Sequence, residues 1–439
     1  MNPNPFYISG AVSSDKFVGR KSEVNKAFDT IANRTARAIQ GSSGMGKSSL
    51  LQYITLPTTW FSRGLQPSQA YILFLNCYEI QPFTPISFWE NILTDLIKKV
   101  DSTALQSMIN QIIGQGTYDI NELRTLLAEI GKENKFLLLL LDDFDAALYA
   151  NSAYTEDNMR SFLSNFRNLV THGNEQVYIS VIVTALKNLT ELGPEITPGT
   201  SPWNNHYSQG YLKPFNEKEI SQWFEQMSEQ YSIPWLLDLK ATIQKISGAH
   251  PALIQNAGFQ LYSLSRDGET QTPEEFARDF ENATRQYFVG AWKHSDDDEK
   301  TLLKFIALSH LEGRLNRKHQ YTLDGVDIIL SQKATKLRNL ESRGLLCRRV
   351  DENEQEAYEF ASSIMEWWVI QHLENSKNQP EITDREIIFL NLSRKQIKQI
   401  TNIMEQVWQR KDTIKAVPAW LGGLAGAFAR GFAGSGTPS

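Results

Sequence analysis

Cysteine is nearly missing. Cys77 and Cys347 are the only two in 439 residues, and each lies inside an apolar segment. That excludes a disulfide scaffold, argues against a thiolate metal site, and fits a cytoplasmic protein with buried, reduced thiols. Long hydrophobic runs are missing too. No uninterrupted apolar stretch reaches the ~20 residues that a bilayer-spanning helix needs, and the nearest approach, AVPAWLGGLAGAFARGFAG (416–434), is broken by Arg430. No stable membrane insertion is expected. The opening MNPNPFYISGAVSSDKF has neither the basic start nor the apolar centre of a secretory signal. Charge of one sign is scarce: the net charge of −6 is too mild for a protein that coats nucleic acid by bulk electrostatics, though it permits one local basic face. There is no internal repeat, so sensor arrays of the TPR or WD40 kind are excluded.

With 41% hydrophobic and 21% charged residues, the composition is that of a folded globular chain, and the length predicts two to four domains. From residue 36 to 215, strand-length apolar runs alternate with helical patterns. ARAIQ (36–40) is short and followed at once by a glycine loop, and AYILFLNCY (70–78), KFLLLLLDD (135–143) and VYISVIVTAL (177–186) are bounded, mostly apolar runs without alternation, as a parallel sheet covered on both faces requires. SFWENILTDLIKKV (87–100) and MRSFLSNFRNLV (159–170) read as helices between them, which predicts a doubly wound α/β domain over 1–215. From 216 the strand signal fades. Asn216 with Glu219 forms a helix-start signature, and Ile220, Trp223, Phe224 and Met227 recur at helical spacing. A small helical domain is expected over 216–293. After HSDDDEK (294–300), two helices precede LLCRRV, a polar stretch and YEFAS, the pattern of a winged helix over 294–375. A polar linker and a helical tail fill 376–439.

Chemistry concentrates in GSSGMGKSS. Gly41, Gly46, Lys47 and Ser48 have the spacing of a phosphate-binding loop between strand and helix. Glycines let the backbone N–H groups of Gly41, Ser42, Ser43, Gly44, Met45 and Gly46 converge on phosphate oxygens, and the helix beginning at Lys47-Ser48-Ser49 adds positive potential. Lys47 is positioned for the β- and γ-phosphates and Ser48 for Mg²⁺. FLLLLLDDFD puts Asp142 at the carboxyl edge of the sheet, where it would hold Mg²⁺ through its water shell. Asp143 is placed to polarise an attacking water, and Asp145 supports either role or caps the next helix. Thr184, at the end of the next strand, is placed to orient that water or touch the γ-phosphate. Lys187, three residues on, is either a phosphate-sensing cation or a surface lysine. The expected cofactors are ATP or ADP and Mg²⁺, and the expected reaction is ATP hydrolysis.

Together KFVGRKSEV (16–24), GSSGMGKSS, LLLLLDDFD, IVTALKNL (182–189), YLKPFNEKEI (211–220), SGAHPALIQ (247–255) and the winged-helix pattern resemble the STAND class of P-loop ATPases. These are relatives of AAA+ proteins and are similar to archaeal origin-recognition ATPases. The resemblance, over about residues 10–375, implies an ASCE/AAA+-like core followed by a helical lid and a winged helix. It implies that Val18, Gly19 and Arg20 pack against adenine and that Pro251 of the GAHP turn touches the nucleotide from the lid. It further implies a slowly hydrolysing switch that self-associates on ATP binding, in a setting such as bacterial defence or stress signalling. Two positions depart from the pattern: TALK offers Lys187 where relatives carry arginine, and YEFASSIMEWW (358–368) has no histidine to sense a phosphate.

The tail is expected to recruit a separate effector or sensor protein or to self-associate. Ile397, Ile400, Ile403, Met404 and Val407 form one stripe, and Gly422 and Gly426 have the spacing that permits close helix approach. The alternative function is ATP-dependent DNA binding through Lys333, Lys336, Arg338, Arg343, Arg348 and Arg349. The acids Asp351, Glu352, Glu354, Glu356 and Glu359 that follow at once disfavour it.

Overall fold

A computed structural model describes residues 3–13, 16–195, 202–233, 235–269, 271–309, 326–350, 356–374 and 381–409. The chain divides into two compact units, with a boundary between Leu212 and Lys213.

The first unit runs from Gly10 to Leu212 without Ser43–Met45. Its elements are α1 (Lys21–Ala32), β1 (Ala36–Gln40), α2 (Lys47–Ile54), α3 (Pro57–Phe61), β2 (Ala70–Asn76), α4 (Pro85–Ile97), α5 (Thr103–Gln115), α6 (Ile120–Lys132), β3 (Phe136–Asp142), α7 (Glu156–Thr171), β4 (Ile179–Ala185) and β5 (Tyr207–Tyr211). The strands form one five-stranded sheet in the order β2-β3-β4-β1-β5, and every neighbouring pair is parallel. The three central strands are buried at every residue. That is why β3 and β4 read as near-continuous apolar runs rather than alternations, while β1 also buries Arg37 and Gln40. β5 is different: Ser208 and Gln209 are exposed and it pairs only with β1. It is an edge strand of low apolarity, which the expected pattern of strands did not include. Three helices, α4–α6, connect β2 to β3, and α5 and α6 bury Leu105, Ile109, Ile112, Leu123, Leu126, Leu127 and Ile130.

The second unit contains the residues up to Ser9, the loop tip Ser43–Met45, and the chain from Lys213 onward. Its elements are α8 (Glu217–Tyr231), α9 (Trp235–Asp238), α10 (Lys240–Ser247), α11 (Pro251–Asp267), α12 (Pro273–Lys293), α13 (Asp297–Ser309), α14 (Val326–Ser331), α15 (Ala334–Ser342), β6 (Leu346–Val350), β7 (Glu356–Phe360), α16 (Ser363–Glu374), α17 (Asp384–Leu390) and α18 (Arg394–Gln409). The Asn216 start signal is realised as a capping box: its side chain accepts from the Lys218 and Glu219 amides, and its own amide donates to Glu219. Ile220, Trp223, Phe224 and Met227 are buried as the spacing required. The N-terminal segment is sewn to this unit. Phe6, 3% exposed, meets the Trp223 ring at 5.9 Å, and Asn4 donates to the Phe259 carbonyl at 2.9 Å. β6 and β7 form the antiparallel pair expected of LLCRRV and YEFAS, with Leu346 opposite Phe360. Among the described residues no helix is long and apolar enough to cross a membrane. The Gly422–Gly426 stretch and the rest of the tail beyond 409 lie outside the described residues.

Candidate functional site

The site of the first unit begins where β1 stops. Gly41 donates its amide to the Ala185 carbonyl at 3.1 Å, which fixes the loop's start against the end of β4. Gly44 and Gly46 have φ of 79° and 89°, values open to glycine at little cost and strained for other residues. Gly46 caps α2, whose first residue is Lys47. The Lys47 side chain folds back and donates to the Gly41 carbonyl at 2.8 Å and to that of Ser42 at 3.4 Å. It is 6% exposed. Burial lowers the ammonium pKa, and Asp143, Asp145 and Asp142 push it back up. Ser48 is half-buried beside it in the first turn of the helix. A cradle of loop amides ahead of a helix start, with a buried cation and a hydroxyl at its base, fits a nucleotide's phosphates.

Next to it stand the carboxylates. Asp142 ends β3 and is 2% exposed. The register pairs Leu141 with Val183, which sets the next residues of the two strands side by side. Thr184 accordingly donates its hydroxyl to Asp142 Oδ1 at 2.5 Å and accepts from the Asp143 amide at 2.9 Å. Asp143 has φ 50° and ψ 47°, an αL conformation sparsely used by non-glycine residues and frequent at functional positions. Burial raises its carboxyl pKa and Asp142 adds to the rise, while Lys47 opposes it. Asp145 is fully buried, and both its carboxylate oxygens accept from the Leu186 amide at 3.1 Å. It therefore ties the turn after β3 to the end of β4. Lys187 is half-buried on that same loop. The Cys77 thiol is pushed far up by burial and then by these carboxylates, so it is inert.

The FVGR box reaches the same region through α2. Val12 donates its amide to Ser49 Oγ at 3.1 Å, and Phe17 stacks on Tyr53 with ring centroids 4.3 Å apart. Val18 and Arg20 are buried, Gly19 has φ 74°, and Arg20 is the left-handed cap of α1. The first unit thus gathers Val18–Arg20, Gly41, Ser42, Gly46–Ser49, Asp142, Asp143 and Thr184 around one end of the sheet.

Pro251 is the first residue of α11 in the second unit, where the loop tip is also held. There the Ala252 amide donates to the Gly44 carbonyl at 3.2 Å, and His250 Nε2 lies 3.1 Å from the Ser43 carbonyl oxygen. A Cβ on Gly44 would come within 2.7 Å of Ala252 Cβ, 2.8 Å of Tyr287 and 2.9 Å of His250. Met45 is 1% exposed. His250 and Tyr287 are contacts that motif spacing does not reveal.

Among the described residues no three His, Cys, Asp or Glu side chains gather as a metal cage. Ser48 and Asp142 fit a Mg²⁺ that draws most of its ligands from water and nucleotide phosphates.

Residues 36–231 match the family model of the NACHT domain, a STAND-class P-loop NTPase domain. The Walker-type ATPase of Pyrococcus abyssi is similar in fold at 14% identity and a TM-score of 0.51, with 83% of this chain and 99% of that one covered. The ORC2 protein of Aeropyrum pernix, in its ADPNP–ADP complexes, aligns at 13% identity and a TM-score of 0.46 over 88% of this chain and 92% of that one. The ORC1 protein of the same organism, solved in complex with DNA, aligns at 12% identity and a TM-score of 0.38 over 81% of this chain and 93% of that one. No curated protein sequence matches the chain.

Proposed function

We propose that this chain, whose residues 36–231 match the NACHT domain model, is a slowly hydrolysing ATP switch whose nucleotide state governs self-association and the recruitment of an effector. The observation that carries the reading is the buried Lys47 ammonium facing Asp142, Asp143 and Asp145 at the edge of the parallel sheet. A bound Mg²⁺ would supply the charge that offsets the phosphates. The chain's own residues do the rest. Lys47 and the loop amides would fix the phosphates, Ser48 and Asp142 would hold the metal, and Val18, Gly19 and Arg20 would seat the base. Asp143 holds a carboxylate ready to accept a proton from water, and its raised pKa suits that role. Thr184 keeps both acids in place. Positioning of this kind suffices for phosphoryl transfer to water. Lys187 stands where an arginine would speed the reaction, so turnover is slow and serves as a timer.

On this reading α13–α15 and the β6–β7 hairpin form a winged helix that works inside the molecule rather than on DNA. Lys336 bonds Asp296, Arg343 bonds Glu299 at 2.8 Å, and Arg349 bonds Glu359 at 3.0 Å. Half of the six cations that DNA would require are therefore matched to the protein's own carboxylates.

Native mass analysis of the purified protein with ATP, with ADP and with neither is the test. ATP should be bound and should raise the assembly state relative to ADP, and Lys47→Ala should bind neither nucleotide. A Lys47→Ala protein that retained ATP and assembled as the parent does would overturn the proposal.

A further inference from the structure

The acidic turn before and within α13 is consumed, residue by residue, by cations from two other elements of the second unit. From α15, Lys336 reaches Asp296 and Arg343 reaches Glu299. From α17, Arg385 bonds Asp297 with one guanidinium nitrogen and Asp298 with the other, the latter at 2.9 Å. The exchange also runs in reverse, since Lys304 of α13 donates to Glu386 of α17 at 3.2 Å. Burial alone would raise the Glu386 carboxyl, but the Thr383 amide and the Lys304 ammonium outweigh it and leave it below the usual range. Lys333 Nζ sits 4.4 Å from the centre of the Phe389 ring and closes the other side of α17. The two groups of ion pairs differ in kind. Arg343 and Glu299 are 12% and 8% exposed and belong to the core, whereas Arg385, Asp297 and Asp298 are 58%, 66% and 31% exposed.

Behind α17 lies α18, seated by Ile400, Ile403, Met404 and Val407, all at most 6% exposed. Their burial supplies most of the seat of this 16-residue helix, and exposed charges at the solvent boundary add a smaller increment that tunes its opening.

We propose that α17 and α18 form a releasable latch. The exposed Arg385–Asp297/Asp298 clasp sets how often α18 leaves its seat, and opening frees residues 384–409 as one unit. The inference rests on the reading of the C-terminal segment as the output of the switch, but its test does not.

The test is hydrogen exchange on the full chain at low and at 0.5 M salt. Opening is expected to speed exchange together across α17 and α18, by about fivefold in Arg385→Glu relative to the parent, with less difference at high salt, where exposed pairs are screened. A charge swap, Arg385→Glu with Asp297→Arg and Asp298→Arg, should return exchange to within about twofold of the parent. Unchanged exchange in Arg385→Glu refutes the clasp. So does a rise that spreads equally through α10–α16, or a swap that fails to restore protection. ATP binding measured on the same samples reads the switch separately: a clasp that behaves as stated in a protein that ignores ATP sinks the switch and leaves the latch.

Discussion

Replacing Thr184 with valine keeps the shape of a fully buried side chain and deletes the one group that joins the two acids. The hydroxyl makes two bonds, donating to the Asp142 carboxylate at 2.5 Å and accepting from the Asp143 amide at 2.9 Å. The first is charge-assisted, and its loss leaves a carboxylate that is 2% exposed with one partner fewer. The second loss leaves a backbone N–H unpaired in a residue already held at φ 50°. Each such loss costs about 1–3 kcal/mol, so the local destabilisation should total about 2–6 kcal/mol. Native-state hydrogen exchange at the β3 and β4 amides reads this directly. Function should suffer through Asp142. A partner that orients a metal-holding group is typically worth about 10–100-fold in metal affinity, so the Mg²⁺ concentration needed for half-maximal ATP binding should rise by that factor. Thr184→Ser retains the hydroxyl and should recover most of both effects. The reasoning fails if valine changes β3–β4 protection by less than about 0.5 kcal/mol, or if serine is as damaging as valine.

Arg343→Met should destabilise the second unit by about 3–5 kcal/mol in thermal or chemical melting, because Glu299 is left buried without its cation. Adding Glu299→Gln should recover part of the loss. His206 gives a pH effect of defined sign. Burial, helped by the Arg167 charge, lowers its imidazole from 6.5 to about 4, so the unfolded chain binds the proton first as pH falls. Its contribution is complete above about pH 6.5 and is lost progressively down to about 4, a slope worth about 2–3 kcal/mol across that window. His206→Phe should flatten stability against pH between 4 and 6.5, and an unchanged slope would assign the effect elsewhere.

What could be read from the sequence, and what could not, divides along physical lines. β3 and β4 were legible because a strand covered on both faces must be largely apolar, and Phe136–Asp142 is buried at every position. Tyr207–Tyr211 was not, because an edge strand that exposes Ser208 and Gln209 needs no such run. The phosphate loop was legible because its glycines and lysine are local demands of one turn. The Thr184 bridge was not: it spans 42 residues and exists only because Leu141 pairs with Val183 in the sheet. Sequence spacing placed Thr184 to orient a water or touch the γ-phosphate; the fold adds its bonds to Asp142 and the Asp143 amide.

Charge was the least legible property of all, and for a reason that applies beyond this chain. Counted along the sequence, Lys336, Arg343 and Arg349 form a basic face suited to phosphates, and Asp296–Glu299 a solvated acidic turn. Each of these cations in fact bonds a carboxylate 10, 40 or 44 residues away: Arg343 and Lys336 on that acidic turn, and Arg349 on Glu359 of the facing strand. Local counting registers charges one element at a time, while the free energy depends on which elements the fold sets face to face. A basic stripe is therefore evidence for a polyanion partner only after the protein's own acids have been placed. Here Lys336 and Arg343 bond acids at the start of α13, as Arg385 of α17 does.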